Sequence, residues 1–345
     1  MDTQKPVKRT RIFYLDFVRA VATIAIIMTH YNALFIYNVA VPAPEKAFIT
    51  LQVSNIYIGA FGVSLFFIIS GASLMYVYDQ KFEIKKFYKK RLMGIYPMFW
   101  MAYIFAAIYK YHISGNIMPG ASKRTLIFTF LGIDSYMVNF GFHSFSIIGE
   151  WFIAVIIMMY LFFPLLRIGV QKKPYLVFAS ACAVGLLSTF VYGRSYEVFA
   201  RVPEFMFGML FIKYIKKVDW KAVVVAAVVL VTNGVVKPTV IPENIQTFYV
   251  GVSSFLVLVY FANHIRWKSV QNVCQVIGKY SYACFLVHHF IIYRVAERVD
   301  LNNMTRKASY MTFLWCVLLI AFFSWALQTI YDRFVALLKR DNNYA

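Results

Sequence analysis

The side chains best suited to chemistry in this chain stand where an apolar sequence can least accommodate them. The run from Tyr14 to His30 carries Asp16, Arg19 and His30 among Leu, Val, Ile and Ala. Asp16 and Arg19 are three apart, so they share a helix face and can pair. Arg19 and His30 are eleven apart, almost three whole turns, so they also share a face, with about 16 Å between them along the axis. A guanidinium is a rigid fork of donors for phosphate oxygens. An imidazole, with an unperturbed pKa near 6.5, is a general base at neutral pH, or a nucleophile that carries an acyl group transiently; the residues alone leave both open. A second fork donor, Arg91, closes the basic run that starts at Lys85, and Pro97 after it should bend its helix and free a carbonyl. Gly62, Ser70, Gly71 and Ser73 form a small-residue set that permits close helix contact or admits a thin ligand chain. Glu150 and Trp151 open a further apolar stretch, Arg201 and Glu204 are spaced to pair, and Ser281, Tyr282 and His288-His289 lie in a later one. Adjacent histidines leave a helix on different sides, so they are not a two-ligand metal site. No HExxH, CxxC, Walker loop or GxSxG elbow occurs, and neither a metal site nor a serine hydrolase is expected.

These residues must be positioned by membrane helices. Of 345 residues, 61% are hydrophobic and 14% charged, against about 45–50% and about 25% in soluble domains. That surplus cannot be hidden in a water-soluble globule of this size, which excludes a soluble enzyme, a disordered tail and a secreted disulfide scaffold. The four cysteines have no disulfide or metal spacing and read as small buried apolar residues. The reading is an all-α, polytopic transmembrane bundle forming one domain over 1–345. Its ten spans lie near 12–36, 55–78, 92–110, 150–168, 174–192, 198–215, 221–236, 246–263, 275–293 and 310–334. The first lacks a small-residue cleavage site and is expected to be retained.

Charge tests that count. The chain carries 35 Lys and Arg against 15 Asp and Glu, spread between the apolar runs and not gathered in a nucleic-acid-binding patch. With both termini cytoplasmic, 23 basic residues fall inside, 11 outside, and Arg19 within a span. Leu126 to Ile133 is too short to cross; if it did, most later basic segments would move outward. Residues 111–148, with His112, Asp134 and His143, are therefore expected to form an outer loop with a short re-entrant or surface helix.

Taken in order, these motifs resemble acyltransferase family 3, the bacterial integral-membrane acyltransferases. The first span has Leu15-Asp16-x-x-Arg19 and Arg19-x10-His30. Gly62-Val-x-Leu-Phe-Phe-x-x-Ser70-Gly71 and Arg91…Ile95-x-Pro97 follow. Then come Trp151-Phe-Ile…Tyr160…Pro164-Leu-Leu, Arg201…Phe205-x-x-Gly208 and Gly278-Lys-Tyr-Ser281-Tyr282…Leu286-Val-His288. The chain departs from the family at Gly94, where a second arginine is common; Lys89 or Lys90 could supply a point charge instead. It is similar to the stand-alone branch, without an extracytoplasmic hydrolase-like domain.

The resemblance implies a multi-pass enzyme of the bacterial plasma membrane. It implies transfer of an acyl group, acetyl for preference, from cytoplasmic acyl-coenzyme A to a hydroxyl of an envelope glycan or lipid-linked acceptor, with no bound cofactor. His30 would be catalytic, and Arg19 and Arg91 would hold the donor's anionic nucleotide end. Asp16, Ser70, Gly71, Glu150, Trp151, Arg201, Tyr282 and His288 would support them. The competing expectation is a transporter or flippase of a lipid-linked sugar or polymer, since intramembrane charges and ten spans suit that class too.

Overall fold

The computed structural model describes residues 10–148, 151–192 and 198–341. Helices are α1 (Phe13–Tyr37), α2 (Ile58–Tyr78), α3 (Ile84–Ser114), α4 (Leu126–Leu131), α5 (Asp134–Met137), α6 (Trp151–Lys172), α7 (Pro174–Tyr192), α8 (Val198–Leu210), α9 (Trp220–Val236), α10 (Glu243–His264), α11 (Lys268–Ala296) and α12 (Arg306–Asp341). A helix thus occupies each of the ten expected segments. Seven of them, α1, α2, α3, α6, α7, α10 and α12, have the length and apolarity to cross a bilayer, and α9 is a shorter apolar helix. The other two bury polar groups within the bundle: Arg201 and Glu204 on α8, Ser281 and His288 on α11. The third helix starts at Ile84, well before residue 92, because the lysine cluster continues it as an exposed first turn and more.

Helix α2 is apolar all round and mostly buried, and it is the centre of the packing. Glycines set its distance from its neighbours. A Cβ on Gly71 would fall 1.9 Å from the Phe205 carbonyl oxygen, and one on Gly208 1.9 Å from that of Ile68, so the α2 and α8 backbones touch. Gly251 on α10 likewise leaves room for the Ser64 hydroxyl. The bend expected at Pro97 has a partner: the Met93 carbonyl, freed of its helical bond, accepts from the Tyr331 hydroxyl of α12 at 2.9 Å.

The two ends of the bundle are tied differently. At the basic end, where α1 starts and α2 stops, Asp79 accepts from Lys213 Nζ at 2.6 Å and from Gln171 Nε2 at 3.0 Å. Arg167 donates to the carbonyls of Tyr78 and Asp79 at 2.6 and 2.7 Å. Burial resists the charge on Asp79, but the bonds from Lys213 and Gln171 outweigh it and hold its carboxyl below the usual carboxylate range. At the opposite end a hairpin of β1 (Gln52–Val53) and β2 (Ile56–Tyr57) turns through Ser54 and Asn55, both with positive φ, as a two-residue loop with right-handed strand twist requires. Its turn is sewn to α9 and α10, with Asn233 Nδ2 donating to the Ser54 carbonyl at 2.6 Å and Asn55 Nδ2 to Gln246 Oε1 at 3.0 Å.

Residues 116–148 fold back along the bundle, and α4 reaches the middle of α3. Tyr96 donates to the Leu131 carbonyl at 2.8 Å, and the Trp100 ring stacks on Phe130 at 4.9 Å. Tyr96 lies about 27 Å back from Ser114 along the helix axis, so α4 packs on the flank of α3 and not at its end, with Leu126, Ile127, Phe130 and Leu131 left exposed. Asp134 is buried and accepts from the Thr129 hydroxyl at 3.0 Å, whereas His112 and His143 are exposed.

Candidate active site

Helix α1 carries the two halves of the site at two depths. Near the basic end Arg19 donates to Asp16 Oδ1 at 3.3 Å and to the Ser73 hydroxyl of α2 at 3.4 Å. Asp16 is buried and also takes Arg11 Nε at 2.5 Å, so its carboxylate is held from two sides. Arg19 lines a cavity of about 310 Å³ together with Ser70 and Ser73 of α2, Lys90, Arg91 and Gly94 of α3, Tyr160 of α6, and Ser281 and Tyr282 of α11. Arg91 leans over the Tyr78 and Tyr160 rings, 5.9 and 5.7 Å from their centroids. Its Nε is buried without a hydrogen-bond partner among the described residues. The two guanidiniums and the Lys90 ammonium therefore bring three positive groups to one chamber, with hydroxyls opposite. Lys90 stands beside the place left by Gly94, at the wall where a second arginine would project.

At the opposite end His30 meets α11, the helix that packs most extensively on α1. Its ring lies 4.8 Å from His288 and 4.7 Å from His289, centroid to centroid. The neighbouring histidines do leave α11 in different directions, but α1 is seated so closely that His30 fills the angle between them. His288 Nδ1 is 2.7 Å from the Phe285 carbonyl and 3.1 Å from that of Cys284. Carbonyl oxygens only accept, so Nδ1 carries the proton and Nε2 bears the lone pair. That Nε2 is buried without a partner, as is the Thr29 hydroxyl beside His30. Orphaned buried polar atoms are uncommon and call for a ligand or a chemical role. Among the described residues no three His, Cys, Asp or Glu side chains converge as a metal would require.

Between the halves stand phenylalanines. Phe66, Phe152 and Phe285 line the cavity, with Phe152 5.7 Å from Phe66 and 5.2 Å from Phe285. Phe285 in turn lies 5.8 Å from His288. The cavity lining thus ends at Phe285, three residues before His288 on α11, and includes none of the histidines.

The structure brings together Arg19, Arg91, Ser70 and Tyr282 in one chamber, with Asp16 behind Arg19, and packs His30 against His288 outside it. Tyr282 spends its hydroxyl on the Ile95 carbonyl at 3.0 Å. Gly71 faces α8 and serves helix contact instead. Trp151 sits edge-on to Phe152, behind the cavity wall. Arg201, counted above among the outer basic residues, is buried and paired with Glu204 at 3.0 Å, away from that chamber and from the histidines. Glu150 lies outside the described residues. The sequence reading passed over His289, Tyr160 and Ser281 as participants. The signal for His289 was present, since residues 100° apart on one helix flank whatever packs in their bisector.

The profile of a family described as an acyltransferase domain matches residues 12–329, which takes in that chamber and the three histidines. Neither the curated proteins nor the solved structures yield a match to the chain.

Proposed function

We propose that this chain, which belongs to the acyltransferase-domain family along nearly its whole length, moves an acyl group from acyl-coenzyme A to a hydroxyl of an envelope glycan or lipid-linked acceptor. One observation carries the reading: Arg19 and Arg91 meet in a chamber at the basic end, and His30 stands about 16 Å away along the same helix, behind a set of phenylalanine rings. The basic end is the cytoplasmic one by the distribution of Lys and Arg, with the bundle embedded in a plasma membrane. The donor's phosphates bind to the two guanidiniums through charge-assisted hydrogen bonds, with Lys90 adding a point charge. The slender pantetheine arm runs along α1 past Phe285, which turns aside, and sets the thioester beside His30.

There the acceptor oxygen attacks the thioester carbonyl carbon. His30 takes the hydroxyl proton as the new C–O bond forms, and gives it to the departing sulfur as the C–S bond breaks. The His288 lone pair, aimed into the same buried space, orients His30 or shares its proton. The phenylalanines keep water from the thioester until the arm has entered. The close packing of His30 on His288 and His289 favours a small group such as acetyl.

The test is incubation of the purified protein with acyl-labelled coenzyme A and an envelope glycan extract. Free thiol and labelled glycan should form with wild type and be lost in His30→Ala, with both proteins reaching the membrane in equal amount. Wild-type turnover by His30→Ala would remove the histidine from the mechanism.

A further inference from the structure

Between α3, α11 and α12 runs a groove of about 1050 Å³. Its lining is almost wholly apolar, with Met101, Leu286 and Leu327 among its floor residues. Phe105, Leu314 and Leu318 on its rims are exposed, so it opens sideways, toward the hydrocarbon that surrounds a membrane bundle. On α12 it extends from Met311 to Ile330, a rise of about 28 Å. That is close to the roughly 30 Å depth of a bilayer core.

The mouth of this groove at the end opposite Asp79 is cationic. Arg294 and Arg298 line it, and Arg294 Nε is buried without a hydrogen-bond partner among the described residues. Glu297 pairs with Arg294 and offsets one charge, which leaves Arg298 and the neighbouring Lys110 in excess. Positive charge accumulates at the other, basic end of the bundle, so this group needs its own reason. Past Arg294 the groove leads into a second chamber of about 220 Å³, with which it shares Tyr109, Phe290 and Arg294. His289 and Tyr293 form its inner wall, and the His289 ring packs on His30 at 4.7 Å.

We propose that this groove binds a lipid phosphate whose head carries the acceptor hydroxyl. The hydrocarbon tail lies along α11 and α12, the phosphate sits on Arg294 and Arg298, and the head enters the chamber beside His289. This rests on the acyl-transfer reading for its purpose but not for its binding chemistry. The charge pattern selects the occupant: a neutral lipid would leave the guanidiniums unanswered, and a free glycan would leave the 28 Å trough without a role. Arginines that merely snorkelled to the interface would anchor the helix without favouring a phosphate in this particular trough.

The experiment is photo-crosslinking in maltoside micelles, which hold no phosphate. The probes are phosphatidylglycerol with a diazirine in its tail and diacylglycerol with the same tail. No acyl donor is added, and the His30→Ala protein is used alongside wild type. Phosphatidylglycerol should label the groove faces of α11 and α12 about tenfold more than diacylglycerol, as the loss of one charge-assisted hydrogen bond dictates. The Arg294→Gln/Arg298→Gln double variant should fall to the diacylglycerol level, and Arg294→Lys/Arg298→Lys should recover part of the difference. Millimolar inorganic phosphate should not displace the probe. Equal labelling by the two wild-type probes, which needs no variant to fold, would overturn the proposal, as would an unaffected double Gln variant. Displacement by inorganic phosphate would also overturn it, by showing an anion site indifferent to lipid. Labelling that persists while thiol release fails would bring down acyl transfer alone, and the reverse result would bring down the lipid site alone.

Discussion

Replacing Arg19 with lysine tests the donor chamber without dismantling it. The substitution retains one positive charge but removes the fork. Asp16 is not left as an uncompensated buried carboxylate, because Arg11 Nε holds it at 2.5 Å from the other side. Arg19 itself is held only loosely, by bonds of 3.3 and 3.4 Å to Asp16 and Ser73, so little native stabilisation is forfeited and the variant should fold. The cost falls on the ligand. A hydrogen bond to a charged group contributes about 1.5–3 kcal/mol, so losing one of a bidentate pair should raise the KM for acyl-coenzyme A about tenfold to a hundredfold. The kcat should change much less, since binding at the donor's remote end is made equally in ground and transition states. The assay is thiol release across donor concentrations, repeated with acyl-pantetheine, which lacks the nucleotide phosphates. Wild type and variant should use acyl-pantetheine equally poorly. If Arg19→Lys weakens both donors by the same factor, the guanidinium does not read the phosphates, and the assignment of this chamber to the nucleotide end fails.

Other parts of the bundle make separate predictions. Phe285→Trp should enlarge the closing ring and lower kcat about tenfold or more with an unchanged KM for donor, whereas Phe285→Leu should retain turnover; steady-state kinetics on both variants decides. Gly208→Ala should lower the thermal stability of the purified protein by at least the 1–3 kcal/mol typical of overpacking, because its Cβ would fall 1.9 Å from the Ile68 carbonyl oxygen in a rigid helix. Arg201→Met should cost about 3–5 kcal/mol by leaving Glu204 buried without its cation, and adding Glu204→Leu should recover most of it, as read by unfolding in detergent. Asp79 has a depressed folded-state pKa, so its contribution is present above the ordinary carboxylate pKa of about 3.9 and is lost as pH falls through the folded value. Asp79→Asn should therefore lower stability at neutral pH and flatten its decline in acid, measured by melting temperature against pH.

The bundle and the alignment of Arg19 with His30 were legible in the sequence for different reasons. Apolar runs located a helix in each of the ten segments, and seven of those helices are long and apolar enough to cross a bilayer. The Arg19 and His30 alignment was legible because helical periodicity is rigid over eleven residues, so two polar groups on one face stay at a known separation whatever packs around them. Arg91 could be grouped with Arg19 only through the family resemblance; nothing in its own segment says which helix it will face. The role of Gly71 was ambiguous, since a small residue serves a ligand or a neighbouring backbone equally well until the carbonyl of Phe205 is found beside it. The histidine trio was legible only in part: adjacency sets His288 and His289 about 100° apart on one helix, but what fills the angle between them is not encoded there. It needs α1 seated against α11 in one rotation, a fact about distant partners that neither segment encodes in its period.

The closing rings expose the one point at which alignment along α1 is insufficient. Two groups on a shared helix face imply a straight path between them, yet Phe66, Phe152 and Phe285, from three other helices, pack together at the cavity that Arg19 lines, and on the proposed mechanism the arm must pass them. A path that is open at rest would admit water to a thioester and waste it; a path that opens only for the arm couples donor binding to transfer. Phe285 is the ring best placed to do this, because it touches the cavity on one side and His288 on the other. His288 is tied by Nδ1 to the carbonyl of that same residue, at 2.7 Å. On the proposed mechanism a turn of the Phe285 side chain would take place against a backbone that holds the neighbouring imidazole, so the ring would move while His288 stays in place.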